Sequence, residues 1–177
     1  MSNQPQSESE RMLQYYTVQG ERNTFRSIWP KAVAARVDLL DALNKVSDEE
    51  ASWSPSEDDW NIKEVAQHIL NGSRTVCRLA QALSAGETGD SSNIDPVRET
   101  TEASMDELRE QLRDDGIVWT NVIAELPPTP PVQPTALHPM FGELHARAWF
   151  LFQRTHDLDH VGQINAIKAA PGYPGAK

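Results

Sequence analysis

Residues 143–169 read ELHARAWFLFQRTHDLDHVGQINAIKA, and this stretch decides the fold class. On a helical wheel, its large apolar side chains and its histidines fall within about 40° of His156. The residues on that stripe are His145, Trp149, Phe152, His160, Gln163 and Ile167. The spacing predicts one long helix, ended by Pro171 and Gly172, whose core-facing side also carries histidines.

Three further segments show helical periodicity, and no segment gives a convincing strand pattern. The helices are expected over about residues 23–44, 61–83 and 101–126. The second of them has a well-marked start, because Asn61 can cap it and Glu64 completes a capping box. Together the four segments predict an all-α protein that folds as a four-helix bundle.

Two long connections separate the later helices. Residues 84–96 (SAGETGDSSNIDP) are small, polar and turn-forming, and residues 127–140 (PPTPPVQPTALHPM) contain prolines that forbid a helix. Each is long enough to cross the bundle, so periodicity alone leaves the helix order open. We expect a disordered or loosely attached tail over residues 1–20, a single domain over 21–170 and a flexible tail over 171–177.

The composition narrows the functional classes. With 16 basic against 26 acidic residues, the net charge of −10 repels phosphate backbones and anionic membranes, and no basic cluster compensates for it. We therefore expect neither a nucleic-acid partner nor a membrane partner. No apolar run approaches the roughly 18 residues of a membrane span, and the start has no secretion-signal pattern. The single cysteine, Cys77, fits a reducing compartment, so a cytoplasmic location is expected.

A metal site is the main functional prediction. His156 and His160 are four residues apart, so a helix places both imidazoles on one face, one turn apart. Two histidines on a buried stripe are costly to desolvate without a partner, which a divalent ion supplies. His68, in VAQHILNG near the middle of the second helix, is the candidate third ligand. The alternatives are a chance pair on an exposed face and, for His68, an ordinary interior histidine.

Other side chains are candidates for supporting roles around the ion. Gly72, one turn beyond His68, would leave open volume over it, and Gln163 is a candidate pocket donor. Glu64 is a candidate general base or an acceptor for the His68 imidazole, although its capping role explains it equally well.

The remaining candidates are weighed against simpler explanations. Asp157 and Asp159 would orient a ligand imidazole or lie at the surface, and Arg74 and Arg78 would hold a substrate carboxylate or be solvated. Cys77 is expected to be a small core residue and not a nucleophile. Neither remaining histidine is expected to be a ligand: His145 is too far along the helix, and His138 lies in the proline-rich loop and is expected to be solvated.

Three stretches resemble the DinB-like superfamily, which includes YfiT-type proteins and thiol-dependent transferases. They are WNIKEVAQHI at 60–69, HPMFGELHARAWF at 138–150 and HDLDHVGQI at 156–164. The resemblance implies a bundle with up-down-down-up connectivity and a metal site made of His68, His156 and His160. It also implies a homodimer and a divalent ion such as nickel or zinc. His145 departs from the family pattern, which often has a small polar residue at that position.

The predicted site suggests two kinds of reaction. Three neutral imidazoles leave a bound ion its double positive charge, which lowers the pKa of a bound water or thiol. One reaction is transfer of a low-molecular-weight thiol to a small-molecule substrate, and the other is hydrolysis of an amide or ester. The resemblance favours metal-dependent thiol transfer. A metal-binding or dimerisation bundle without turnover is the third alternative.

Overall fold

The computed structural model describes residues 7–92, 94, 98 and 100–175 of the chain. Its helices are α1 (Glu8–Arg22), α2 (Phe25–Leu43), α3 (Asp48–Ser52), α4 (Ile62–Ser84), α5 (Met105–Glu125) and α6 (Ala146–Ala169). Its strands β1 (Ala136–His138) and β2 (Gly142–Leu144) form an antiparallel hairpin. Within these residues no helix is both long enough and apolar enough to cross a membrane.

Side-chain caps fix where most of the helices begin. At α4 the side chain of Asn61 accepts from the Glu64 N–H at 2.9 Å, and the Glu64 carboxylate accepts from the Asn61 N–H at 2.9 Å. The same reciprocal capping box stands at Ser7, Thr24, Ser47 and Ser104. Each cap satisfies donors that the first turn leaves open and contributes about 1 kcal/mol. The capping box expected at Asn61 is confirmed.

The long helices α2, α4, α5 and α6 form the bundle, in which α6 and α5 each pack against both α2 and α4. The rings of Phe25 and Phe150, both near helix starts, lie 5.6 Å apart, so α2 and α6 run parallel. Arg109, early in α5, donates to the carbonyl of Leu43 at the end of α2, so these two helices are antiparallel. The start of α4 shares a core cluster with the end of α6, and the end of α4 shares the other cluster with the start of α6, so these two helices are antiparallel. The connectivity is therefore up-down-down-up, and the predicted four-helix bundle is confirmed.

Helix α6 is central to the fold because it packs against α1, α2 and α4. Residues 146–153 at its start are all buried, including Trp149 and Phe150. Burial of each such large apolar side chain contributes roughly 1.5–3 kcal/mol. The sequence indicated a single apolar stripe along this helix, whereas the first part of α6 is buried on every side.

The N-terminal segment differs from the expectation of a loose tail. The chain forms α1 here, and residues 1–6 lie outside the described part. Tyr16 is buried, and its hydroxyl lies 2.6 Å from the Thr155 hydroxyl on α6. The Arg147 guanidinium donates to the carbonyl of Gly20 at 2.5 Å. The polar composition hid this helix, because only a few apolar side chains, Met12, Leu13 and Tyr16, pack against the core, together with backbone groups.

The start of the last helix also differs from the expectation. The helix begins at Ala146 and not near residue 143, since residues 142–144 form β2. His145 is the cap of α6, and its ring accepts from the Ala148 N–H at 3.4 Å. The hairpin was missed because a strand of three residues is too short to give a periodic signal.

One residue of the C-terminal segment packs against the domain. Tyr173 is buried, and its ring centroid lies 5.7 Å from that of Trp53. Trp53 directly follows the short helix α3, which the turn-rich composition of that region concealed. The flexible tail expected over 171–177 thus includes one residue, Tyr173, that packs on the domain, and residues 176–177 lie outside the described part.

Candidate metal centre

Three histidine side chains meet between α4 and α6. Nε2 of His156 lies 3.0 Å from Nε2 of His68 and 3.1 Å from Nε2 of His160. All three residues are half-buried, and their ligand atoms lie within 4.8 Å of one another. Within the described ranges, no other group of three or more histidine, cysteine or acidic side chains is arranged to hold a metal ion. The structure thus brings the three predicted ligands together.

The spacing of these nitrogens suits a single small cation. Bonds of about 2.0–2.1 Å at tetrahedral angles place two ligand nitrogens about 3.4 Å apart. The observed separations of 3.0 and 3.1 Å are close to that value. Small rotations of the rings are enough to reach it, so the arrangement fits an ion held by three imidazoles.

Helix geometry and aromatic packing explain why the rings converge. His156 and His160 lie one turn apart on α6, and α4 runs antiparallel to α6, which places His68 opposite them. The ring centroid of Trp60 lies 5.2 Å from that of His68, and the ring centroid of Phe152 lies 5.3 Å from that of His156. These aromatic walls restrict the access of water to the imidazoles.

Burial favours the neutral form of two of the imidazoles, those of His156 and His160. It lowers the pKa of His156 well below its usual value, and the neighbouring His160 and His68 lower that pKa further. Burial also lowers the pKa of His160, against the opposing effect of a hydrogen bond with Gln163. Neutral imidazole is the form that binds metals, so the electrostatics at pH 7 match the geometry.

Gln163 determines which nitrogen of His160 carries the proton. Its Oε1 lies 2.7 Å from Nδ1 of His160, and an amide oxygen can only accept. The neutral ring therefore keeps its proton on Nδ1 and its lone pair on Nε2, the atom that faces His156. Gln163 was predicted as a pocket donor, but its oxygen acts as an acceptor for a candidate ligand. Within the described residues, Nδ1 of His156 is buried and has no such acceptor.

Gly72, predicted to leave open volume over an ion, lies next to the ring of the candidate ligand His156. A Cβ atom at this position would lie 3.4 Å from Cε1 of His156, so α4 approaches α6 closely here. Glu64 is buried, and both of its carboxylate oxygens are engaged. One accepts from the Asn61 N–H, and the other lies 3.0 Å from the Arg98 guanidinium. Its observed roles are helix capping and an ion pair.

Neither aspartate near the histidines has the role of an imidazole acceptor. Asp157 is buried, and its two oxygens accept from Arg36 at 2.9 Å and from Gln153 at 2.7 Å. Asp159 is exposed. Since side chains on adjacent helix positions point about 100° apart, Asp157 is directed toward α2 and not toward the ion site beside His156.

The predicted carboxylate-binding arginines lie elsewhere on the molecule. Arg74 and Arg78 are exposed and line a depression between α4 and α5 that none of the three histidines lines. Cys77 lines the same depression but is buried in the core cluster, as expected. Burial, together with the smaller effect of the Asp115 charge, raises the pKa of its thiol to about 12. The cysteine is thus unsuited to act as a nucleophile.

A buried ion-pair network next to the histidines was missed from the sequence. Arg36 pairs with Asp115 and Asp157, each at 2.9 Å. The hydroxyl of Ser73 donates to Asp115 and accepts from Arg36 and from the indole of Trp119. This network links α2, α4, α5 and α6. Arg36 and Asp157 are 121 positions apart in the chain, so no local pattern reveals the pair.

The other two histidines lie outside the cluster, and both are buried. His138, expected to be solvated, packs on β1 with its ring centroid 4.5 Å from that of Phe152. Its Nδ1 accepts from the Met140 N–H at 3.1 Å. His145 caps α6, and its Nε2 lies 3.3 Å from the carbonyl of Thr17 on α1. Its role is to join the N-terminal helix to the bundle.

A four-helix bundle with three histidines converging from two of its helices defines a candidate metalloprotein. The chain belongs to the DinB superfamily, whose family model matches residues 31–164. It is 25% identical over 158 residues to the "Uncharacterized protein YuaE" of Bacillus subtilis (strain 168). The aligned region covers 76% of this chain and 93% of that relative. The fold is similar to that of TT2238, a four-helix bundle protein, with a TM-score of 0.60 and 22% identity over 81% of this chain and 99% of that one.

Proposed function

We propose that this protein binds one divalent metal ion, nickel or zinc, through His68, His156 and His160. The observation that carries the proposal is the meeting of their three Nε2 atoms, at 3.0 and 3.1 Å, in a half-buried site. Imidazole lone pairs that face one another at this distance are stabilised by a shared cation. Three protein ligands leave a coordination position for a further molecule, as in catalytic and not structural sites.

We further infer that the protein is a metal-dependent transferase that uses a low-molecular-weight thiol and a small-molecule substrate. A divalent ion on three neutral imidazoles would lower the pKa of a bound thiol toward neutrality. The residues of the chain prepare for this chemistry: Gln163 fixes the tautomer of His160, and Trp60 and Phe152 restrict water. The resemblance of the sequence to thiol-dependent transferases supports the same reaction class.

Hydrolysis of an amide or ester is less well supported by the surroundings of the histidines. Attack by water on an amide or ester is accelerated by a general base that removes a proton from the water. Glu64 was the candidate base, but its oxygens are engaged by the Asn61 N–H and by Arg98. A thiol that ionises on a metal ion needs no such base. This difference favours thiol transfer.

Metal analysis of tag-free protein tests the first proposal. We expect one nickel or zinc ion per chain after titration and desalting, measured by mass spectrometry of the metal. His68→Ala is expected to lose the ion. His145→Asn is the matched control, because it removes a histidine outside the cluster and keeps a side chain able to cap α6. Absence of bound metal together with no uptake on titration would end both enzyme hypotheses.

An activity assay then separates the reaction classes. The metal-loaded protein is incubated with monochlorobimane and each of a panel of low-molecular-weight thiols, and adduct formation is followed by fluorescence. Thiol transfer predicts turnover that needs both metal and thiol and is lost in His68→Ala. Ester or amide turnover without thiol would favour the hydrolase instead. Stoichiometric metal binding with neither activity would favour a non-catalytic bundle.

A further inference from the structure

A cavity separate from the histidines lies between α2, α5 and α6. Its volume is about 240 Å³, and none of the three candidate metal ligands lines it. That volume lies between the about 150 Å³ of an apolar cavity that holds benzene and the about 300–1,000 Å³ of sites for drug-sized ligands. The cavity therefore suits a ligand of one aromatic ring with a short substituent.

The walls of this cavity are apolar and partly aromatic. Trp29 and Trp119 stack on Phe150 with ring centroids 6.0 and 5.0 Å away, so that three aromatic rings form one wall of the cavity. At the mouth, Val37 and Ile117 remain 48% and 55% exposed. An apolar group bound against this wall would remove that surface from water, which is favourable.

The charged groups of the cavity carry an excess of positive charge. Its lining holds three arginines, Arg36, Arg113 and Arg154, against one carboxylate, Asp157. Arg36 is neutralised by its pairs with Asp157 and Asp115. In the described part of the chain, Arg113 and Arg154 form no ion pair. Because Arg36 pairs with two carboxylates, its network keeps one negative charge, and Arg113 and Arg154 leave the site with a net positive charge of one. On a protein of net charge −10, a local excess of positive charge favours an anionic ligand.

Two residues that line the cavity each carry a buried polar atom without a hydrogen-bond partner in the part of the chain that the structure describes, which is a second observation independent of the charge. Gln153 is only 3% exposed, and its Nε2 donates a hydrogen bond to Asp157. The second polar atom of its amide is the acceptor Oε1. That oxygen has no hydrogen-bond partner among the described residues, and neither has the buried Nε of Arg154. Buried donors and acceptors are nearly always satisfied, so an acceptor for Arg154 and a donor for Gln153 are expected from outside the chain.

We propose that this cavity binds a small aromatic carboxylate. The ring of the ligand packs on the wall formed by Trp29, Phe150 and Trp119, and its carboxylate accepts hydrogen bonds from Arg113 and Arg154. A ligand that also carries a hydroxyl group can donate to Gln153. The site is independent of the proposed metal centre, because it rests on a different side of α6 and on different residues.

Calorimetric titration of the metal-loaded protein with phenylacetate tests the proposal. We expect binding at least about tenfold tighter than that of the neutral phenylacetamide or the cationic 2-phenylethylamine, since both lose the charge-assisted hydrogen bonds. Arg154→Met should weaken phenylacetate binding by about tenfold or more. Arg26→Met, at an exposed arginine of α2 that does not line the cavity, should leave it unchanged. Equal binding of acid and amide, or no effect of Arg154→Met, overturns the proposal.

Two experiments locate the ligand: substitutions of opposite charge at the exposed Ile117, and the shifts of tryptophan signals in nuclear magnetic resonance spectra. Ile117→Glu should weaken phenylacetate binding and Ile117→Arg should preserve it, while the exposure of this residue leaves the fold intact in both. In nuclear magnetic resonance spectra, the indole signals of Trp29 and Trp119 should shift, and that of Trp60 beside His68 should not. A shift at Trp60 alone would place the acid at the histidines and overturn the proposal. A dimer that Ile117→Glu dissociates, without phenylacetate binding, would instead assign the surface to a second copy of the chain.

Discussion

Gln163 follows His160 by three positions on α6, and its amide oxygen lies 2.7 Å from Nδ1 of the imidazole. The helix itself therefore supplies both a candidate ligand and the group that orients it. A group that accepts a hydrogen bond from the second nitrogen of a ligating imidazole raises the basicity of the ring and holds it in place. The orientation of the His160 ring is thus set within a single helix, whereas the position of His68 relative to the other two histidines depends on the packing of α4 against α6.

Replacing Gln163 should weaken metal binding without removing a ligand. Gln163→Leu is expected to lower the affinity for zinc or nickel about 10–100-fold, because the His160 ring loses its orienting acceptor. Titration against a chelator of known affinity measures the change. Gln14→Leu, at an exposed glutamine of α1, is the control and should have wild-type affinity. An unchanged affinity in Gln163→Leu would show that the hydrogen bond does not act on the ion.

Alanine substitution should change the free energy of unfolding in opposite directions at two glycines, Gly20 and Gly162. At Gly20 a Cβ atom would lie 2.6 Å from the His145 ring and 2.9 Å from the backbone nitrogen of Ala148, so Gly20→Ala should cost about 1–3 kcal/mol. At Gly162, exposed on α6, a Cβ atom meets nothing within 4 Å, so Gly162→Ala should stabilise by about 0.5–1 kcal/mol. Urea unfolding measures both. A neutral Gly20→Ala would contradict the close contact of α1 with α6.

Removal of the central arginine should destabilise the bundle strongly. Arg36→Met leaves the carboxylates of Asp115 and Asp157 buried without their cation and is expected to cost about 3–5 kcal/mol in the free energy of unfolding. The triple variant that adds Asp115→Asn and Asp157→Asn removes both charges and should recover much of that loss. Chemical denaturation compares the two proteins. A loss below about 1 kcal/mol in the single variant would be incompatible with a buried network.

The sequence predicted the long helices and the three histidines because both depend on short-range spacing. Helical periodicity fixed α2, α4, α5 and most of α6, and the four-residue interval fixed His156 and His160 on one face. His68 was a candidate from its place near the middle of the second helix, and the resemblance implied the same residue. These features are local, so a single chain without coordinates is enough to show them.

What the sequence did not show depends on contacts between distant segments. Helix α1 docks by a tyrosine and backbone carbonyls, the hairpin strands have three residues each, and Arg36 pairs with residues of α5 and α6. For a related reason, Gln163 was not predicted to form its hydrogen bond with His160. Its position on the stripe was predictable, but whether its amide would donate to a ligand or accept from His160 depends on the rotamer.

The thiol of Cys77 should be unreactive while the protein is folded. Its pKa is raised to about 12 by burial, so at pH 8 it holds less thiolate than a free cysteine by more than about a thousandfold. We expect negligible labelling by iodoacetamide at pH 8, one label per chain in denaturant, and a labelling rate for the folded protein that rises with pH up to the limit of its alkaline stability. Cys77→Ala should therefore retain any thiol-transfer activity, because the attacking sulfur comes from the small molecule. Rapid labelling of the folded protein, or loss of transfer with metal still bound, would give this cysteine a role that its burial argues against.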